Sequence, residues 1–151
     1  MKRILCILLT VIIALSFLGC SANGIKAKDL TVKNSIKKIL SEQEIADVES
    51  ILAAGISFYN KYSGTDSFPV EDEDLMLITE RTITLQEKIN SENDKKYNDA
   101  LLEAQSIGFC ISFFAINNSF ASEQDLLIAM SEQDWKDLKD TVNDSVKFFC
   151  K

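Results

Sequence analysis

The chain has no histidine in its 151 residues. The commonest general base and the commonest transition-metal ligand are therefore missing, which removes most hydrolase and zinc-site readings. Neither G-x-x-x-x-G-K nor G-x-G-x-x-G occurs, so no glycine-rich loop is available to cradle a phosphate. The D-x-D-x-D-G pattern of an EF-hand is also absent. No stretch alternates apolar and polar residues with β-branched enrichment over the length of a strand, which leaves an all-α chain. Basic charge is scarce beyond Leu40, where nine Lys or Arg face twenty-two Asp or Glu, a balance of −13. Such a body carries no basic stripe for nucleic acid, so nucleic acid is not expected as a partner. None of these patterns implies a cofactor.

What the chain does have begins at its N-terminus. Lys2 and Arg3 precede an apolar run from Ile4 to Leu18, broken only by Thr10 and Ser16. At fifteen residues the run is shorter than the roughly 20 of a spanning helix, and it has the length of a signal-peptide core behind a charged start. It closes on Ser16-Phe17-Leu18-Gly19-Cys20, where Gly19-Cys20 resembles the lipobox of bacterial lipoproteins. The resemblance covers the first twenty residues only. It implies that residues 1–19 are a cleaved signal, that the Cys20 sulfur carries a diacylglycerol, and that membrane lipid is the first partner, on a bacterial inner or outer membrane. An uncleaved anchor helix, or a plain signal that happens to contain Cys20, are the other readings of the same residues.

Residues 20–28 are small and polar and read as a flexible tether, with a helical domain over residues 29–151. From Cys20 to Leu40 five lysines, Lys26, Lys28, Lys33, Lys37 and Lys38, face only Asp29. They are either a basic segment that touches anionic headgroups or an ordinary solvated stretch.

Within the domain, Asp29 can cap a short helix carrying Val32, Ile36, Ile39 and Leu40. Ser41-Glu-Gln-Glu44 has the form of a capping box, and Ile45, Val48, Leu52, Gly55 and Tyr59 follow at helical spacing. Ser63 to Pro69 collects turn formers. Leu75, Ile78, Thr82, Leu85 and Ile89 then mark a helix that starts at the acids Glu71 to Asp74. Ser91 can cap the next, in which Tyr97, Leu101, Ala104, Gly108, Ile111 and Ala115 share a face. Its half from Ile107 to Ile116 is apolar nearly all round, as expected of a helix enclosed by others. Boxes at Ser122 to Asp125 and Ser131 to Asp134 open a short helix through Met130 and a longer one with Trp135, Leu138, Val142, Val146 and Phe149. The expected architecture is a single bundle of about five to six helices behind the tether. Residues 41–52 resemble residues 131–142, either by duplication or because two amphipathic helices share a cap.

Candidate functional residues are few. Cys110 and Cys150 both fall on apolar helix faces and are candidates for a disulfide in an exported chain, or for buried thiols. Phe68 and Phe120 lie in expected loops and are candidate exposed contacts for a partner. Asp66 with Glu71, Asp72, Glu73 and Asp74 could surround a calcium ion, or simply favour a helix start. The functional expectation is a membrane-anchored lipoprotein acting as a recognition or interaction module rather than as an enzyme, with an unknown protein or envelope partner. The other classes are a carboxylate-dependent hydrolase of envelope polymers and an inhibitor or immunity-type lipoprotein. Two buried acids in a cleft without a basic partner would favour the hydrolase.

Overall fold

The computed structural model describes residues 24–25, 30–118, 120–122 and 126–150, with the side chains of 120–122 left aside. The signal segment, Cys20, most of the tether and Asp29 lie outside them. In chain order the elements are α1 (Asn34–Lys37), α2 (Glu42–Tyr62), β1 (Ser67–Pro69), α3 (Glu73–Gln86), α4 (Lys95–Asn117), β2 (Phe120–Ser122), β3 (Leu127–Ala129) and α5 (Glu132–Phe149). Helix dominates, in the all-α bundle that the periodicity predicts.

Two of the three capping boxes open helices. The Ser41 hydroxyl accepts from the Glu44 amide while the Glu44 carboxylate accepts from the Ser41 amide at 2.7 Å, and Ser131 with Asp134 repeats the exchange at the start of α5. The likeness of residues 41–52 to 131–142 thus includes a working cap at both helix starts. The third box does not open a helix. Ser122 ends β2, and Leu127–Ala129 is strand β3 rather than the expected helix through Met130. A short apolar run has no period of its own, and here it pairs antiparallel with β1, setting Phe68 opposite Ile128. The sheet has the order β1-β3-β2, which leaves Pro69 on an edge strand, where a missing amide donor is tolerated. Asp72, among the acids expected at the start of α3, caps it by accepting from the Asp74 and Leu75 amides, whereas Asp94, not Ser91, caps α4.

Contacts along the helices fix their directions. The Tyr97 hydroxyl reaches Glu44 at 2.7 Å, and a Cβ built on Gly55 would lie 3.1 Å from Ile107, so α2 and α4 run side by side in one direction. Ser57 on Asp74 and Arg81 on Asp47 run α3 the other way, and Ser106 against Ser145 does the same for α5. One end of the bundle therefore gathers the ends of α2 and α4, the starts of α3 and α5, and the small sheet. We call this the sheet end.

The described residues before α1 lie at both ends of the bundle. At the sheet end, the Ile25 amide donates to Asn60 Oδ1 at 2.8 Å and the Asn60 amide returns a bond to the Ile25 carbonyl at 2.9 Å. Ile25 is itself buried, so at this point the expected flexible tether is docked. At the far end Val32 bridges Cys150, and Lys33 Nζ donates to the carbonyls of Lys147 and Phe148. Lys33 thus satisfies orphan carbonyls at the end of α5.

Where α3 crosses α4, the approach is set by glycine. A Cβ on Gly108 would stand 2.3 Å from Thr82 Oγ1. Gly108→Ala is expected to destabilise the protein by about 1–3 kcal/mol through overpacking, and Thr82→Ala in the same chain should return most of the loss. Urea denaturation of both single variants and the double variant measures this. Additive losses would show that the clash is not what holds the position.

Candidate functional site

The site begins with a correction. Phe68 is fully buried, not an exposed contact. Its ring lies 5.2 Å from Phe58 and 6.4 Å from Trp135, and the Trp135 indole donates to the Thr65 carbonyl at 2.7 Å. The loop from Ser63 to Pro69 is thereby folded inward over an aromatic cluster. Turn-forming residues predict the loop but not the direction of the ring inside it. Phe120 lies in β2, and its side chain is outside the described residues.

Phe68 instead forms part of the floor of a groove of about 560 Å³ between α3 and α4. Ile111 completes that floor, Met76 and Ile83 stand on one wall, and Ala115 lies on the other. Among the described residues Glu80 is the one charged side chain that lines it. Beside the groove, the outward face of α4 carries Leu102, Phe109, Phe113 and Ile116, exposed by 47, 48, 62 and 82 %. At about 100° per residue these four fall within an arc of about 60°, so they form a continuous stripe. The half of α4 expected to be enclosed is therefore enclosed on one side only. The signal for the surface was in the sequence as the run from Ile107 to Ile116, which periodicity alone assigns equally well to an interior.

The buried acids are elsewhere, and each has a basic partner. Glu44 meets Lys88 at 3.3 Å, Asp47 meets Arg81 at 3.4 Å, and Asp72 meets Lys61. Burial alone would raise the Glu44 carboxyl, but hydrogen bonds from Tyr97 and from Ser41 outweigh it and bring the group from its ordinary 4.5 to about 2. Burial and the Glu44 charge together push the Tyr97 phenol up to about 12. Asp72 follows the pattern of Glu44: burial opposes ionisation, while Lys61, Tyr62 and the Leu75 amide hold the carboxyl below its usual range. These acids join helices to one another. The Asp66 to Asp74 cluster is likewise dispersed, Asp72 onto Lys61 and Asp74 onto Ser57. Among the described residues no group of three or more Cys, Asp or Glu is arranged to hold a metal ion.

A pH dependence follows from Glu44. Its folded value is depressed, so its contribution is fully present above about 4.5 and is lost as pH falls toward about 2. The urea midpoint of the wild type should fall through that window, and Glu44→Gln should flatten the fall while lowering stability at neutral pH. Parallel curves for the two proteins would show that another carboxylate controls the acid transition.

Cys110 and Cys150 do not form a disulfide. Cys110 is half-buried and hydrogen-bonds with Thr141, and burial pushes its thiol up. Cys150 is nine residues beyond Thr141, at the end of α5, an axial separation of about 13 Å from the level of Cys110 against the roughly 7 Å that a bridge allows between Cα atoms. The two cysteines share apolar faces as expected, but α4 and α5 run in opposite directions and hold them at different levels.

Comparisons with protein-family models, with characterised proteins and with solved structures find no match for this chain.

Proposed function

We propose that the chain is a bacterial lipoprotein, held to its membrane through a lipid on Cys20, whose helical body is an interaction module. The observation that carries the module is the open apolar groove between α3 and α4, with Met76 and Ile83 exposed along its wall. Large side chains left in water along a groove wall form the kind of surface that marks a contact site. The occupant is a partner segment that offers apolar side chains flanked by Lys or Arg. Glu80 lines the groove, and the body behind it carries the −13 balance, so a cationic flank is steered in and an acidic one is repelled. An inhibitor or immunity-type lipoprotein is the same physical reading with an incoming enzyme as the partner. The hydrolase reading has less support, because the groove holds one carboxylate and the buried acids are spent on basic partners.

A photo-crosslinker placed at Ile83 of the membrane-held protein should give a discrete adduct. Ala115→Trp, which fills the groove, should reduce it at least about tenfold, the response to a loss of about 1.4 kcal/mol. A crosslinker at Glu92, in the turn between α3 and α4 and outside the groove lining, serves as the control. Equal adducts from Ile83 and Glu92, or an adduct indifferent to Ala115→Trp, would reject the groove as the contact.

A further inference from the structure

We infer that the sheet end of the bundle rests on the lipid bilayer, with Phe113, Ile116 and Leu126 as the side chains that enter it; this rests on the reading of Cys20 as the lipid anchor. Ile25 is five residues after Cys20, and five steps of chain span at most about 18 Å when fully extended. Ile25 is clamped to Asn60, two residues before the end of α2, so the anchor is confined to the neighbourhood of that end. The rise of α2 from Ser41 to Asn60 is about 28 Å, which carries Lys33, Lys37 and Lys38 at the far end of the bundle well away from the clamp.

Reach alone permits the sheet end or the flank of α2 to face the lipid. The exposed apolar side chains select the sheet end. Ile116 lies in the last turn of α4 and is 82 % exposed, Phe113 stands one turn before it, and Leu126 precedes β3 in the same corner. Leu126 also has a positive φ of 50° and accepts a hydrogen bond from the Val70 amide, which ties its turn to β1. Transfer of such side chains from water to the acyl boundary is favourable, and the anchor supplies the proximity. Among the described residues the charged groups at this end are mostly acidic, Glu71, Glu73 and Asp74 among them, with Lys61 paired to Asp72. The contact is therefore with hydrocarbon and zwitterionic headgroups, and anionic lipid weakens it. This is the opposite of the salt and lipid dependence expected if Lys33, Lys37 and Lys38 met the headgroups.

The test uses the lipidated protein in phosphatidylcholine vesicles whose acyl chains carry bromine, a short-range quencher of tryptophan. The native Trp135 is buried and gives a common background. An added indole in Ile116→Trp should lose most of its emission, whereas in Glu92→Trp, at the far end, it should keep it. Replacing part of the lipid with phosphatidylglycerol should reduce the quenching of Ile116→Trp. If intact mass shows the diacylglycerol on Cys20 and Ile116→Trp keeps its emission, or Glu92→Trp is the one quenched, the orientation is overturned and the anchor stands. If the mass shows no lipid on Cys20, the anchor and the orientation fall together.

Discussion

Cys20→Ser should leave the protein without diacylglycerol and with its signal segment still attached. In the lipoprotein family that Gly19-Cys20 resembles, the thiol is the acceptor for the lipid, and lipidation precedes the cut before the cysteine. A hydroxyl does not replace that thiol, so the loss should be complete rather than graded. Intact-mass measurement of protein from membrane fractions reads both changes at once. Wild-type protein should begin at Cys20 and carry the added lipid mass; the variant should run from Met1. A wild-type mass that begins anywhere but Cys20, or a lipidated Cys20→Ser protein, would remove the anchor. Because the described residues fold around α2 to α5, the variant should keep the helical circular dichroism of the wild type. The two proteins would then differ in attachment and not in folding.

Phe68→Ala should destabilise the protein by about 3–5 kcal/mol, the range for truncating a fully buried phenylalanine. Its ring has no exposure, sits edge-on to Phe58 and closes on Trp135, so the deletion leaves a cavity between β1 and two helices. A domain of this size has about 5–15 kcal/mol to lose, so the variant should be marginal at physiological temperature. Trp135 emission should shift to longer wavelength as water reaches the cluster, and the urea midpoint should fall together with it. A loss within about 0.5 kcal/mol, the usual range for an exposed side chain, would return Phe68 to the surface. Phe68→Leu separates packing from groove shape. It retains most of the buried volume and should recover most of the stability, while the groove loses one aromatic surface of its floor.

The sequence by itself determined the helices. Apolar spacing and short-range caps set α2, α3, α4 and α5 to within a few residues, because a capping box such as Ser41 with Glu44 closes over three residues and an amphipathic stripe repeats every turn. It also determined the charge balance, the absence of histidine chemistry and the lipobox-like start, which depend on residue identity alone. Where competing caps stood close together, as Ser91 and Asp94 do before α4, spacing could not choose between them. Tertiary structure alone decided the rest. Trp135 meets the carbonyl of Thr65 across seventy residues, and that contact turns Phe68 from a loop residue into core. The pairing of Leu127–Ala129 with β1 turns an expected helix into a strand. Opposite helix directions separate Cys110 from Cys150, the clamp on Asn60 places Ile25 at the sheet end, and the side on which α3 and α5 pack leaves Phe113 and Ile116 in water. Each of these outcomes is settled by neighbours distant in sequence, and the period of a helix records only that a face is apolar, not what comes to cover it.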